Sequence, residues 1–179
     1  MNFNEKMTQN LSRMIVWGCN LVLLAVPAGA MYLLADLSAF SQLAATNLPL
    51  PIQWHTVAGH QWYLAWFATA LYLAVGLLGL VFLRRAFVNF ARGEMFNEQN
   101  SQNFRRFAIL LFVQALAKPV HLAVLSVILS WNHPAGQSLL SIAFGANELH
   151  NVALGAVLWV MSDLLVAGSK LRAENQAFV

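Results

Sequence analysis

Three polar side chains interrupt an otherwise apolar run: Gln114, Lys118 and His121. Their spacing of i, i+4 and i+7 puts them on one face of a helix. A second apolar run carries Asn151 and Asp163. A charge near the centre of a bilayer costs ~2.5–3.5 kcal/mol, so each one needs a partner or a task. Lys118 lies 13 residues before Trp131, and Asp163 lies 13 residues after His150. With those two ends level, the spacing predicts equal depth and a buried Lys118–Asp163 ion pair. Such a pair serves packing alone, or else a proton, ion or ligand site. Pro119 adds a loose end, because it leaves the Ala115 carbonyl without its helical donor. The two polar faces are therefore expected to oppose each other and to line a small hydrated pocket.

A second group of residues is capable of metal chemistry. His60, His133, Glu148 and His150 fall between apolar runs or at their ends, where imidazole and carboxylate could hold zinc, copper or nickel. The spacing is unspecific, with no HExxH and no paired histidines at i, i+4. Haem ligation by histidines on opposed helices is a weaker version of the same idea. The sequence contains no GxSxG, no phosphate-binding glycine loop and no carboxylate pair on one helix. The chain is therefore not expected to be an enzyme, and no cofactor is assigned. Its single cysteine, Cys19, can form no intrachain disulfide.

What must position these residues is a set of membrane-spanning helices. Of 179 residues, 59% are hydrophobic and 9% charged, against about 25% charged in soluble domains. So few charges cannot coat a globular surface. Apolar runs cover about residues 14–35, 62–83, 107–131 and 150–168, each near the ~20 residues a spanning helix needs. Ala28-Gly29-Ala30 resembles a signal-peptide cleavage site, but the apolar run continues to Ala35, so the first span is read as retained. Residues 36–61 read as a polar-aromatic loop, with Trp54, Trp62, Tyr63 and Trp66 forming an interfacial belt. The later loop contains SLLSIAFG, apolar enough for a short interfacial or re-entrant helix.

Nine of the ten Lys+Arg lie before the first span, in the connector 84–106 or after the fourth span; Lys118 is the tenth. The positive-inside rule then places both termini and the connector in the cytoplasm. The expected fold is all-α. It is a single-domain polytopic membrane protein with four transmembrane helices in two antiparallel hairpins, forming a bundle. Direct nucleic-acid binding is not expected, since no basic face stands apart from the helix ends.

Within the connector, Gly93 reads as a helix stop and Asn97 as the cap of the next helix. The stretch GEMFNEQN (93–100), followed by Phe104-Arg105-Arg106, and the tail GSKLRAENQAFV (168–179) resemble a known family. These are the bacterial four-helix inner-membrane proteins that carry a domain of unknown function, the yoaS-like class. The resemblance implies a place in the cytoplasmic membrane, a gene often beside a small helix-turn-helix regulator, and no established catalytic residues. It marks Gly93, Phe96, Asn97, Asn100, Arg105, Arg106, Leu171 and Glu174 as candidates for docking a cytoplasmic partner.

The expected function is sensing at or within the lipid bilayer and signalling to a cytoplasmic partner such as that regulator, with homo-oligomerisation as an option. Two alternatives remain open. One is a small transporter or transporter subunit using Lys118, Asp163, His121 and Gln114. The other is a metal- or haem-binding membrane protein.

Overall fold

Each apolar run forms a helix that continues past the run's own ends. The computed structural model describes the backbone of residues 3–48, 50–94 and 97–177, and the side chains of 6–36, 38–46, 48, 50–94 and 97–168. The helices are α1 (Phe3–Ala35), α2 (Leu37–Asn47), α3 (Gly59–Ala91), α4 (Glu98–Ser130) and α5 (Ala146–Ala177), with one 3-10 turn at Trp54–Thr56. All but α2 contain a stretch long and apolar enough to cross a membrane. Helix α3 runs through Arg84 and Arg85 because nothing before Gly93 breaks it. Gly93 then takes φ +84, a conformation that L side chains resist. Asn97 restarts the chain as α4 by accepting the Gln99 N–H at 3.0 Å.

Helix α2 occupies part of the stretch that reads from sequence as a loop. Asp36 caps it: Oδ1 accepts the backbone N–H of Ser38 at 3.0 Å and of Ala39 at 3.2 Å, and the Ser38 hydroxyl at 2.6 Å. Phe40 and Ala44, one turn apart, are its buried face. Phe40 meets Trp62 edge-on at 5.4 Å, and Trp62 stacks on Trp54 at 5.8 Å. Part of the aromatic belt is thus core, closed by Ile52, Leu125 and Leu129.

The four long helices pack in a row, α1 on α3, α3 on α4 and α4 on α5. The bundle expected from sequence takes this neighbour-to-neighbour order among the described residues. Small residues allow the close approaches. Gly79 lies against Phe107 and Leu110, and Gly155 against the Ala108 carbonyl and Phe112. Ser101 Oγ donates to the Ser162 carbonyl at 2.8 Å, and Ser162 Oγ returns a bond to the Ser101 carbonyl at 3.0 Å. At the other end of the layer, Gln61 accepts the Ala58 N–H at 2.6 Å and donates to the Ile128 carbonyl at 2.6 Å. One side chain so satisfies groups that the start of α3 and the end of α4 leave without helical partners.

After Ser130 the chain doubles back along α4. The Leu139 N–H donates to Ser130 Oγ at 2.9 Å, and the Ser141 N–H to Ser126 Oγ at 3.0 Å. Four residues of helix rise ~6 Å and two extended residues span ~6.6 Å, so the two ladders match. The SLLSIAFG stretch is therefore extended, not the short helix its composition suggests. Buried hydroxyls of α4 stabilise amides that in lipid would lack a partner.

The Ser38 hydroxyl and, after it, the Ala39 amide hold the Asp36 carboxyl below the usual carboxylate range. A depressed folded value means that the cap contributes fully above the ordinary range and is lost as pH falls through the lowered value. Asp36→Ala is expected to lower the melting temperature in detergent at neutral pH. The gap from the parent protein should close on acidification, and a gap independent of pH would remove the cap from the account.

Candidate functional site

Register decides which polar residues meet. Ser101 faces Ser162 and Gly155 faces Ala108, seven residues apart on each helix. Carried along both helices, this register sets residue 163 beside residue 100 and residue 118 beside residue 145. Lys118 and Asp163 are thus separated by eighteen residues of α4, about 27 Å along the axis at ~1.5 Å per residue. The predicted ion pair does not form, and Asp163 is exposed. The cause is the doubling back after Ser130, which starts α5 three turns below the end of α4. Asn151 leaves the site for the same reason, since the register places it beside residue 112.

The predicted stripe of Gln114, Lys118 and His121 faces α3 instead. The His121 ring stacks on Tyr72 at 4.7 Å and 11°, and its Nε2 lies 3.2 Å from Thr69 Oγ1. Lys118 Nζ sits 5.8 Å from the centre of the Tyr72 ring, within reach of its negative face. Gln114 lies near the Tyr72 hydroxyl and directly over Gly76, where a Cβ would come within 2.7 Å of Nε2. Glu148 is within electrostatic reach of Tyr72. Thr69 and Tyr72 are the residues that sequence reasoning missed. Their signal was two hydroxyls at i, i+3 inside an apolar run, with a glycine one turn beyond.

These groups form the polar floor of an open pocket of about 420 Å³ between α2, α3 and α4. Thr69, Tyr72, Lys118 and His121 supply the polar lining; Phe40 and Leu43 of α2, with Leu73, Leu122 and Leu125, supply apolar walls. The volume falls within the ~300–1,000 Å³ of small-molecule sites, which pair apolar walls with a few placed polar groups.

The residues proposed for metal do not converge. His133 is buried between the two loops: its Nε2 accepts the Gln53 N–H at 3.1 Å, and Nδ1 lies 3.1 Å from the Gln137 carbonyl. That network assigns the proton to Nδ1, so both nitrogens are occupied. Glu148 accepts the Gly145 N–H at 2.7 Å, while His60 and His150 are exposed. Among the described residues, no three His, Cys, Asp or Glu side chains are placed to share one ion.

At the arginine end, the connector motif divides into two parts. Asn100 is fully buried; it accepts from Asn89 at 2.7 Å and donates to the Glu94 carbonyl. It clasps the turn and offers nothing to a partner. Gly93 and Asn97 shape the same turn. Arg105 stacks over Trp159 at 4.6 Å and Arg106 over Phe82 at 5.4 Å, both exposed. Phe96 and the side chains of Leu171 and Glu174 lie outside the described residues.

Four helices long and apolar enough to cross a membrane, with a polar cluster between two of them, define an all-α, multi-pass integral membrane protein. The chain belongs to the DUF2975 family of proteins of unknown function, which matches residues 34–179 and so includes the whole pocket and connector. No curated protein and no solved structure matches it.

The Gly76–Gln114 contact makes a test of the cluster's packing. Alanine at a helical glycine normally gains up to ~1 kcal/mol of propensity, but here its Cβ displaces Gln114 from Tyr72, at a cost of about 1 kcal/mol. Gly76→Ala should therefore be neutral or destabilising in the parent protein and stabilising in a Gln114→Ala background. Equal effects in both backgrounds, by thermal unfolding in detergent, would show that the two residues are uncoupled.

Proposed function

We propose that the protein is a non-enzymatic membrane receptor. It binds a membrane-dissolved ligand in the α2–α3–α4 pocket and reports occupancy to a cytoplasmic partner at the arginine end. The observation that carries this reading is the pocket itself, an apolar cleft lined by four polar side chains that hydrocarbon would not otherwise tolerate. Lys118 and His121 of that floor belong to α4, which continues without a break to Ser101 and its reciprocal bond with Ser162. His121 and Ser101 are twenty residues apart on that helix, about 30 Å. A ligand that shifts α4 against α3 thereby also shifts it against α5.

The bias of Lys and Arg supports a cytoplasmic place for both termini and the connector, in a bacterial inner membrane. A helix-turn-helix regulator encoded nearby is the partner class that the connector and tail motifs favour. Exposed Arg105 and Arg106 are its candidate contacts, each held in place by an aromatic ring.

Two measurements test this. In a Cys19→Ser background, Ala135→Cys should react with a membrane-impermeant maleimide on intact cells, and Arg92→Cys only after permeabilisation; the reverse pattern would invert the topology. A neighbouring regulator should co-purify with the tagged protein in mild detergent and be lost with Arg105→Glu and Arg106→Glu together. Recovery unaffected by the double change would remove the arginine end from the interface.

A further inference from the structure

The charge balance of the pocket narrows its ligand. Among its lining side chains Lys118 is the one with a full positive charge, and none of them is a carboxylate. His121 is already engaged: its ring lies on Tyr72 and its Nε2 on Thr69. Among the described residues, Lys118 makes no comparable bond. Its ammonium has three donors and sits over the face of the Tyr72 ring. Asp163, the counter-ion that the sequence offered, is far along α5 and exposed. Glu148 takes the Gly145 amide and is not a lining residue. The ammonium is therefore open to the cavity, next to apolar walls.

The shape supplies the second half of the argument. Phe40, Leu43 and Leu48 of the α2 side, with Leu73, Leu122 and Leu125, make the walls of the cleft apolar. A volume of about 420 Å³ lies at the lower end of the range for small-molecule sites, room enough for one chain. Helix α2 is joined to α1 through Asp36 alone and lies over this cleft as a short amphipathic cover, its Phe40 and Ala44 turned inward.

We infer that the pocket takes a single-chain amphipathic acid, with its anionic head on Lys118 and its acyl chain along the apolar face of α2. This rests on the reading of the pocket as a ligand site, and it goes further by naming the ligand's charge and tail. Lysine and carboxylate form a charge-assisted bond that strengthens in a low-dielectric site. An uncharged chain of the same length would leave the ammonium unmatched. The head can come from a free fatty acid or from a lysophospholipid, which share the chemistry of one chain and one anion.

The test uses the full-length protein in detergent with a diazirine-bearing palmitate. Photolabelling should map to α2 and to the Lys118–Leu125 part of α4. Palmitate should compete, and hexadecanol should compete roughly tenfold more weakly or worse. Lysophosphatidylglycerol competing as well as palmitate supports the same class and assigns its source to membrane lipid. Lys118→Met should lose labelling by a similar factor while Lys118→Arg keeps it. Ala44→Trp, which fills the cleft from α2, should abolish it without touching the charge. Equal competition by palmitate and hexadecanol, or full labelling of Lys118→Met, overturns the anionic head while leaving the pocket intact as a site. Labelling spread evenly over all spans, unaffected by Ala44→Trp, overturns the pocket reading itself.

Discussion

Two serines of α4 set the height of everything that follows them. Ser130 and Ser126 take the amides of Leu139 and Ser141 at the one spacing where a helix and an extended chain keep step. Without such partners, an extended segment at this depth would leave several amides unsatisfied in hydrocarbon, each costing several kcal/mol. With them, the chain returns along α4 before α5 begins. The start of α5 is thereby lowered, Ser162 comes level with Ser101, and Asp163 moves away from Lys118. The lysine that sequence pairs with an aspartate is left facing a cavity.

That displacement gives the polar cluster its character. Lys118 and His121 are stabilised by α3, through the Tyr72 ring and the Thr69 hydroxyl, not by a fourth-span counter-ion. Aromatic and hydroxyl partners position a cation without neutralising it, which suits a binding site better than a buried ion pair would. The cleft above them exists because α2 is a helix with an apolar face, capped by Asp36 and anchored by Phe40 on Trp62. The arginine end follows a different rule. There Asn100 and the Ser101–Ser162 pair use buried polar bonds to fix the turn and the α4–α5 contact, and the arginines remain outside.

Much of the design was legible in the chain. The spans follow from a shortage of charge that no soluble surface tolerates. Gly93 and Asn97 announced the stop and the restart around the connector through local backbone chemistry, and both hold. Gln114, Lys118 and His121 share a face because helical periodicity is a property of one element. The resemblance to a membrane family with a domain of unknown function agrees with the family that matches residues 34–179. Helix α2 was missed because its apolar positions, Phe40 and Ala44, lie in a stretch whose prolines and tryptophans read as loop. The candidate metal ligands do not converge among the described residues, and nothing in the spacing of His133 shows that the backbone groups of Gln53 and Gln137 already use both nitrogens.

The sequence by itself determined the four long helices, the polar face shared by Gln114, Lys118 and His121, and the class of protein, since all three depend on local composition and period. Tertiary structure alone decided the partners. Which helix Lys118 faces depends on how far the chain travels back along α4 before turning, and that distance is set by hydrogen bonds between residues in different elements. A loop's length does not reveal its path; the serines that hold it do.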